Sequence, residues 1–151
     1  MRKVFLAAVA LCAVIGSAIA QDGQKVIKGE EIAWKDHPFF KGAQSAVLIG
    51  DPSKPETIVQ RLKFPPNYKI APHSHPYSEV VTVISGSVGF GSGEQFDPAK
   101  GTIVKAGSIN ATPAKTVHFV WTGGEEAIVQ IQFTGPGGID FVNPADDPRN
   151  K

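Results

Sequence analysis

Past residue 31 the chain is cut into short segments by glycine, proline and aspartate, and no segment there keeps a helical period. The β-rich runs between these breaks are residues 44–49, 57–64, 79–84, 87–90, 102–104, 108–112, 116–122 and 127–133. Within 57–64 the alternation is clear: Ile58, Leu62 and Phe64 share one parity, against Arg61 and Lys63. Gly50-Asp51-Pro52 closes the first run, Pro65-Pro66-Asn67 the second and Gly91-Ser92-Gly93 the fourth. Short β-rich runs separated by turn signals predict an all-β sandwich or barrel. There is no internal repeat. Residues 143–151, with Pro144 and Pro148, read as an extended arm.

The first twenty residues have a separate character. Arg2 and Lys3 precede an apolar run, and Ala18-Ile19-Ala20 ends it with small residues. That order is the signature of a secretory signal peptide, and the run is short for a membrane span. The expected organisation is a signal over 1–20 and one domain over 21–151, with its core at about 31–142 and a tail at 143–151. The expected location is beyond the inner membrane, in the periplasm, with no stable membrane span after cleavage. Cleavage would remove Cys12 and Met1, the single cysteine and the single methionine. Thiolate ligation and a cysteine nucleophile are then excluded. It would also leave 13 of the 15 basic residues against 14 acidic ones, with no basic stripe, so nucleic acid is a poor partner.

Four histidines remain: His37, His73, His75 and His118. His73 and His75 are two apart and share a face if extended, and Glu79 keeps their parity. Pro76 interrupts that segment, so a bend is expected there. His118 lies downstream in a run of its own, beside apolar Val120. Three imidazoles and a carboxylate suit one divalent transition ion (Fe, Mn, Co, Ni, Cu or Zn), whereas calcium would want oxygen ligands alone. Residue type and period equally permit a hydrogen-bonded core histidine and a polar surface patch. His37, within Asp36-His37-Pro38, reads as a loop residue without a role.

The stretch from Pro72 to Glu79, followed by Gly86, has the spacing H-x-H, three residues, E, six residues, G. Gly107, Pro113 and His118 follow with five and four residues between them. These segments resemble the two motifs of the cupin superfamily, in order. The resemblance implies a double-stranded β-helix, a jelly-roll-type barrel, with His73, His75, Glu79 and His118 as metal ligands. Further likeness at Val47 to Pro52, Arg61 to Pro65, Gly135 to Ile139 and Asn143 to Asp147 is to small single-domain bacterial cupins similar to the cupin sensor domain of an anti-sigma factor. Three positions depart from the motifs: Asn67 and Lys115 stand where glycine is usual, and Thr122 where asparagine is. Asn tolerates glycine-like turns, whereas Lys115 puts the local turn in doubt.

Around the site, Gln60 shares parity with Leu62 and Phe64, and Gln130 and Gln132 share parity in the last run. Facing inward, these glutamines would hydrogen-bond a metal-bound water or substrate; facing outward, they are the wet side of their strands. Tyr77, between ligands, could reach the entrance. Trp121 reads as packing. The resemblance implies an oxidoreductase, of dioxygenase type, acting on a small organic molecule. The alternatives are a binding or sensing module without turnover and a metal-dependent isomerase. Pairing of cupins through their sheets implies a homodimer.

Overall fold

The computed structural model describes residues 23–150. The expected signal segment lies outside the described residues. Among the described residues, eleven strands form two antiparallel sheets. In chain order they are β1 (Lys35–Asp36), β2 (Gln44–Ile49), β3 (Thr57–Phe64), β4 (Lys69–Ser74), β5 (Glu79–Ser85), β6 (Ser87–Ser92), β7 (Thr102–Lys105), β8 (Ile109–Thr112), β9 (His118–Thr122), β10 (Ala127–Thr134) and β11 (Asp140–Phe141). One sheet has the order β1-β2-β3-β10-β5-β8, the other β11-β4-β9-β6-β7. From β3 onward every connection except the β6–β7 hairpin crosses between the sheets, which makes the barrel a jelly roll.

The expected all-β architecture is the observed one, and alternation explains which sides face inward. On β3, Ile58, Leu62 and Phe64 are buried. On β5 the inward set is Glu79, Val81 and Val83, and on β10 it includes Val129 and Phe133. β9 is covered on both faces: His118 and Val120 look into the barrel, while Phe119 and Trp121 pack outside it against Phe96. The close approach of Trp121 to β6 requires Gly89, because a Cβ there would overlap the indole ring. Trp121 is thus a packing residue.

β4, the strand that carries His73, is absent from the runs read off the sequence, because Pro72 interrupts its pattern. The structure tolerates Pro72 because β4 is backed by only the two-residue β11 on one side, where the Pro72 carbonyl accepts the Val142 amide at 3.0 Å. The register of β4 on β9 shifts between Ile70 and His73. That irregularity lets two residues three apart both line the barrel interior, opposite Val120 and His118.

The four glycine positions of the two motifs all have left-handed backbone: Asn67 (φ 56°), Gly86 (φ 73°), Gly107 (φ 89°) and Lys115 (φ 62°). The turns therefore keep glycine-like geometry at both substituted positions. For Lys115 this costs roughly 1–2 kcal/mol of backbone strain, set against an amide bond from Lys115 to the His75 carbonyl at 2.8 Å. Thr122 has its own function. Its hydroxyl donates to the Pro65 carbonyl at 2.7 Å and accepts the Tyr68 amide at 2.8 Å, pinning the turn that holds Asn67.

The tail differs from the extended arm expected. Two single 3₁₀ turns, Pro144–Asp146 and Pro148–Asn150, fold it back. Asn143 accepts the Ala145 amide at 3.1 Å, and Arg149 donates to the Ile139 carbonyl at 3.0 Å. Short Asx-type side chains competing for the backbone favour such turns over an extended chain.

Candidate metal centre

β4 ends at Ser74, the chain bends through Pro76, and β5 opens at Glu79 in the opposite sheet. The expected bend is therefore a crossing between sheets. His73 and His118 are direct cross-strand partners on β4 and β9, Glu79 faces them from β5, and His75 hangs from the crossing loop. The ligand nitrogens of His73, His75 and His118 lie within 4.8 Å of one another. Glu79 brings its two oxygens to 3.8 Å from His75 Nε2 and 3.2 Å from His118 Nε2. His73, Glu79 and His118 are buried.

Each imidazole is oriented by a backbone carbonyl at Nδ1: Ala71 for His73 at 2.7 Å, Gly138 for His75 at 2.6 Å and Thr116 for His118 at 3.0 Å. Those acceptors fix the proton on Nδ1 and leave Nε2 as a lone pair turned inward. Nε2 of His118 is buried with no aligned hydrogen-bond partner, despite its nearness to Glu79. A buried nitrogen lacking a partner, beside two others aimed the same way and a carboxylate, fits a divalent transition ion.

Electrostatics agree with that donor set at His73 and Glu79, whereas at His118 they favour a proton. Burial, reinforced by the neighbouring His118, pushes the His73 imidazole down to about 3, so it stays neutral. Burial alone would raise the Glu79 carboxyl, but contact with His118 and the other facing imidazoles hold it below its ordinary value. Burial pulls the His118 imidazole down, yet Glu79 and the Thr116 carbonyl outweigh it and raise it. Burial and the Glu79 charge push the Tyr77 phenol up, so it stays protonated.

The centre opens into a cavity of about 480 Å³. Its walls are mainly apolar, with Leu62, Phe64, Val129, Ile131 and Phe133 among them, and Gln60 is the polar residue contributed by β3. Tyr77 sits at its edge, stacked between His75 (5.0 Å) and Phe133 (4.1 Å). Of the two orientations open to the β10 glutamines, the inward one is ruled out. Gln130 pairs with Arg61 across the strands, its side-chain oxygen accepting from Arg61 Nε at 3.1 Å, and Gln132 is exposed. Val129, Ile131 and Phe133 take the inner face, so the glutamines fall on the outer one.

The structure also places residues at the cavity that the sequence left without a role: His37, Phe39 and Phe40 from the loop after β1, Ser53, and Arg149 from the tail. His37 Nδ1 accepts the Phe40 amide at 3.1 Å, and its ring packs on Phe39 and Phe40. The cluster Pro38-Phe39-Phe40 after a histidine was the available signal, but no local period says that such a loop folds over a barrel mouth.

No protein-family model matches the chain, and no match was found among curated proteins. Solved structures do match. A polyketide cyclase from Streptomyces resistomycificus is 20% identical, with a TM-score of 0.67, over 83% of this chain and 89% of that one. An RmlC-like cupin from Shewanella frigidimarina is 17% identical, with a TM-score of 0.59, over 74% and 90%. An oxalate oxidase is 23% identical, with a TM-score of 0.57, over 83% and 68%. The fold is therefore the double-stranded β-helix of the cupins. Within it, this chain carries a three-histidine group positioned to bind a metal.

Proposed function

We propose that the protein is an exported, periplasmic metal-binding cupin that acts as an oxidoreductase, of dioxygenase type, on a small organic molecule. The observation that carries the metal reading is the set of three inward Nε2 atoms, each imidazole locked by a carbonyl at Nδ1, with Glu79 beside them. His73, His75, Glu79 and His118 would hold one divalent transition ion. Such an ion, when bound, supplies Lewis acidity and, for redox-active metals, electron transfer. The chain does the rest. Carbonyl partners keep the imidazoles oriented, Glu79 offsets cationic charge, and the apolar wall keeps water from a bound ligand. The likeness to an oxalate oxidase supports oxidation chemistry. Export is supported by the basic start, apolar run and Ala18-Ile19-Ala20 of the first twenty residues. Kinship with the cupin sensor domain of an anti-sigma factor remains part of this reading, resting on the segments quoted above.

A homodimer belongs to the same reading. Its support is exposed Ile49, Val80, Ile84 and Ile109 on the outer side of the six-stranded sheet.

Elemental analysis of residues 21–151 should find about one equivalent of a transition metal, lost in a His73→Ala, His75→Ala variant. A parent that stays empty after refolding with Fe, Mn, Ni, Cu and Zn would sink the metal reading. Oxygen-dependent turnover of a substrate panel would support the oxidoreductase. Product formed without oxygen would indicate an isomerase, and a ligand retained unchanged would indicate a binding module.

A further inference from the structure

His37 belongs to neither motif, yet its placement is as constrained as that of a ligand. The loop carrying it is closed by its own amide, bonded to the Ala43 carbonyl at 2.9 Å, and by the Ala43 amide, bonded to the Phe40 carbonyl at 2.9 Å. Its ring is held between Phe39 and Phe40, with centroids at 4.4 and 4.6 Å. Nδ1 accepts backbone amides from Phe40 (3.1 Å) and Phe39 (3.5 Å). A nitrogen that accepts carries no proton, so the ring proton is on Nε2. Nε2 makes no hydrogen bond among the described residues, and the side chain lines the cavity shared with the histidine centre. Burial holds this imidazole at about 4, so it remains a neutral donor at physiological pH.

The charge inventory of the cavity narrows what that donor can meet. Apart from the four candidate ligands, the polar wall groups are His37, Ser53, Gln60, Tyr77 and Arg149. Only Arg149 among them is charged, and Asp147 already matches it: Nη2 lies 2.6 Å and Nε 2.8 Å from the carboxylate. The mouth therefore offers hydrogen-bond donors without an uncompensated charge. An anionic group there would have to compete with Asp147 for the guanidinium; a neutral acceptor has no such rival.

We propose that His37 is a specificity-determining residue: it donates Nε2–H to an uncharged oxygen acceptor, a ketone, ester or amide carbonyl, at the outer end of a largely apolar ligand whose inner end sits at the histidine centre. This assignment rests on the metal reading above. It excludes small dianions and phosphorylated sugars as preferred ligands, since nothing beyond the centre would match their second charge.

Hydroxamates, which chelate transition ions, separate the two claims. The probes are benzohydroxamate and biphenyl-4-carbohydroxamate, each with a terminal acetyl, isopropenyl or carboxylate group, so that two lengths are covered. Calorimetric Kd values would be measured on the nickel-loaded protein and on His37→Asn. Asn keeps an acceptor for the loop amides but is too short to reach a ligand, and the thermal midpoint reports whether the loop survives. At one of the two lengths the acetyl probe should bind about fivefold tighter than the isostere, the contribution of one neutral hydrogen bond. In His37→Asn that advantage should vanish while the isopropenyl Kd holds within about twofold. Equal acetyl and isopropenyl affinities at both lengths, an advantage that survives in the variant, or tightest binding by the carboxylate would overturn the assignment. Isopropenyl probes that bind equally with and without nickel would overturn the metal reading itself, and this assignment with it.

Discussion

Thr122 shows how a departure from a motif is absorbed by chemistry one residue wide. It is buried, and its single hydroxyl both donates to Pro65 and accepts from Tyr68. Thr122→Val keeps the shape but strands two backbone groups, so it should cost about 1–3 kcal/mol, read from urea unfolding. A loss below about 0.3 kcal/mol would mean that water takes over both bonds. Lys115 is the opposite case, since its side chain contributes nothing to the left-handed turn it occupies. No interaction of that side chain explains why lysine stands there.

At the scale of elements, neighbouring strands of the five-stranded sheet have distinct tolerances. β6 and β9 approach so closely that a methyl on Gly89 would meet the Trp121 ring, itself held by Phe96 and Phe119. Gly89→Ala is therefore expected to destabilise by about 3 kcal/mol through overpacking. A companion Gly124→Ala, where a Cβ meets open space, should change stability by less than about 1 kcal/mol. Equal effects would show that the indole moves freely. β4 has the opposite property. Pro72 and a register shift make it a poor strand by pattern, yet it holds His73 because β9 supplies a partner at His118. Alternation identified β3 and β10 as strands, but on β10 it said only that Gln130 and Gln132 share a side. Which side is inner depends on the sheet that β10 faces.

At the scale of the molecule, stability should depend on acid through His37. Its folded value of about 4 lies below the ordinary 6.5, so the unfolded chain takes up the proton first. Folding stability is thus fully present above pH 6.5 and is lost as pH falls toward 4. The ring is only partly buried, so solvent screening limits the effect to about 1 kcal/mol. Urea midpoints of the metal-free protein across that range should fall more steeply for the parent than for His37→Asn. Parallel curves would show that the loop opens to accommodate the charge.

The sequence by itself determined the all-β class and most strand positions, because these follow from local period and turn residues; the grouping of His73, His75, Glu79 and His118 was implied by their resemblance to the cupin motifs, since period alone left a core histidine or a surface patch equally open. Tertiary structure alone decided which faces became interior, how β4 could be a strand, and that His37 and Arg149 line one cavity with the histidine centre. The physical reason is range. Turn preference and alternation act over a few residues, whereas the cavity is made by segments more than a hundred residues apart in the chain, brought together only when the two sheets close.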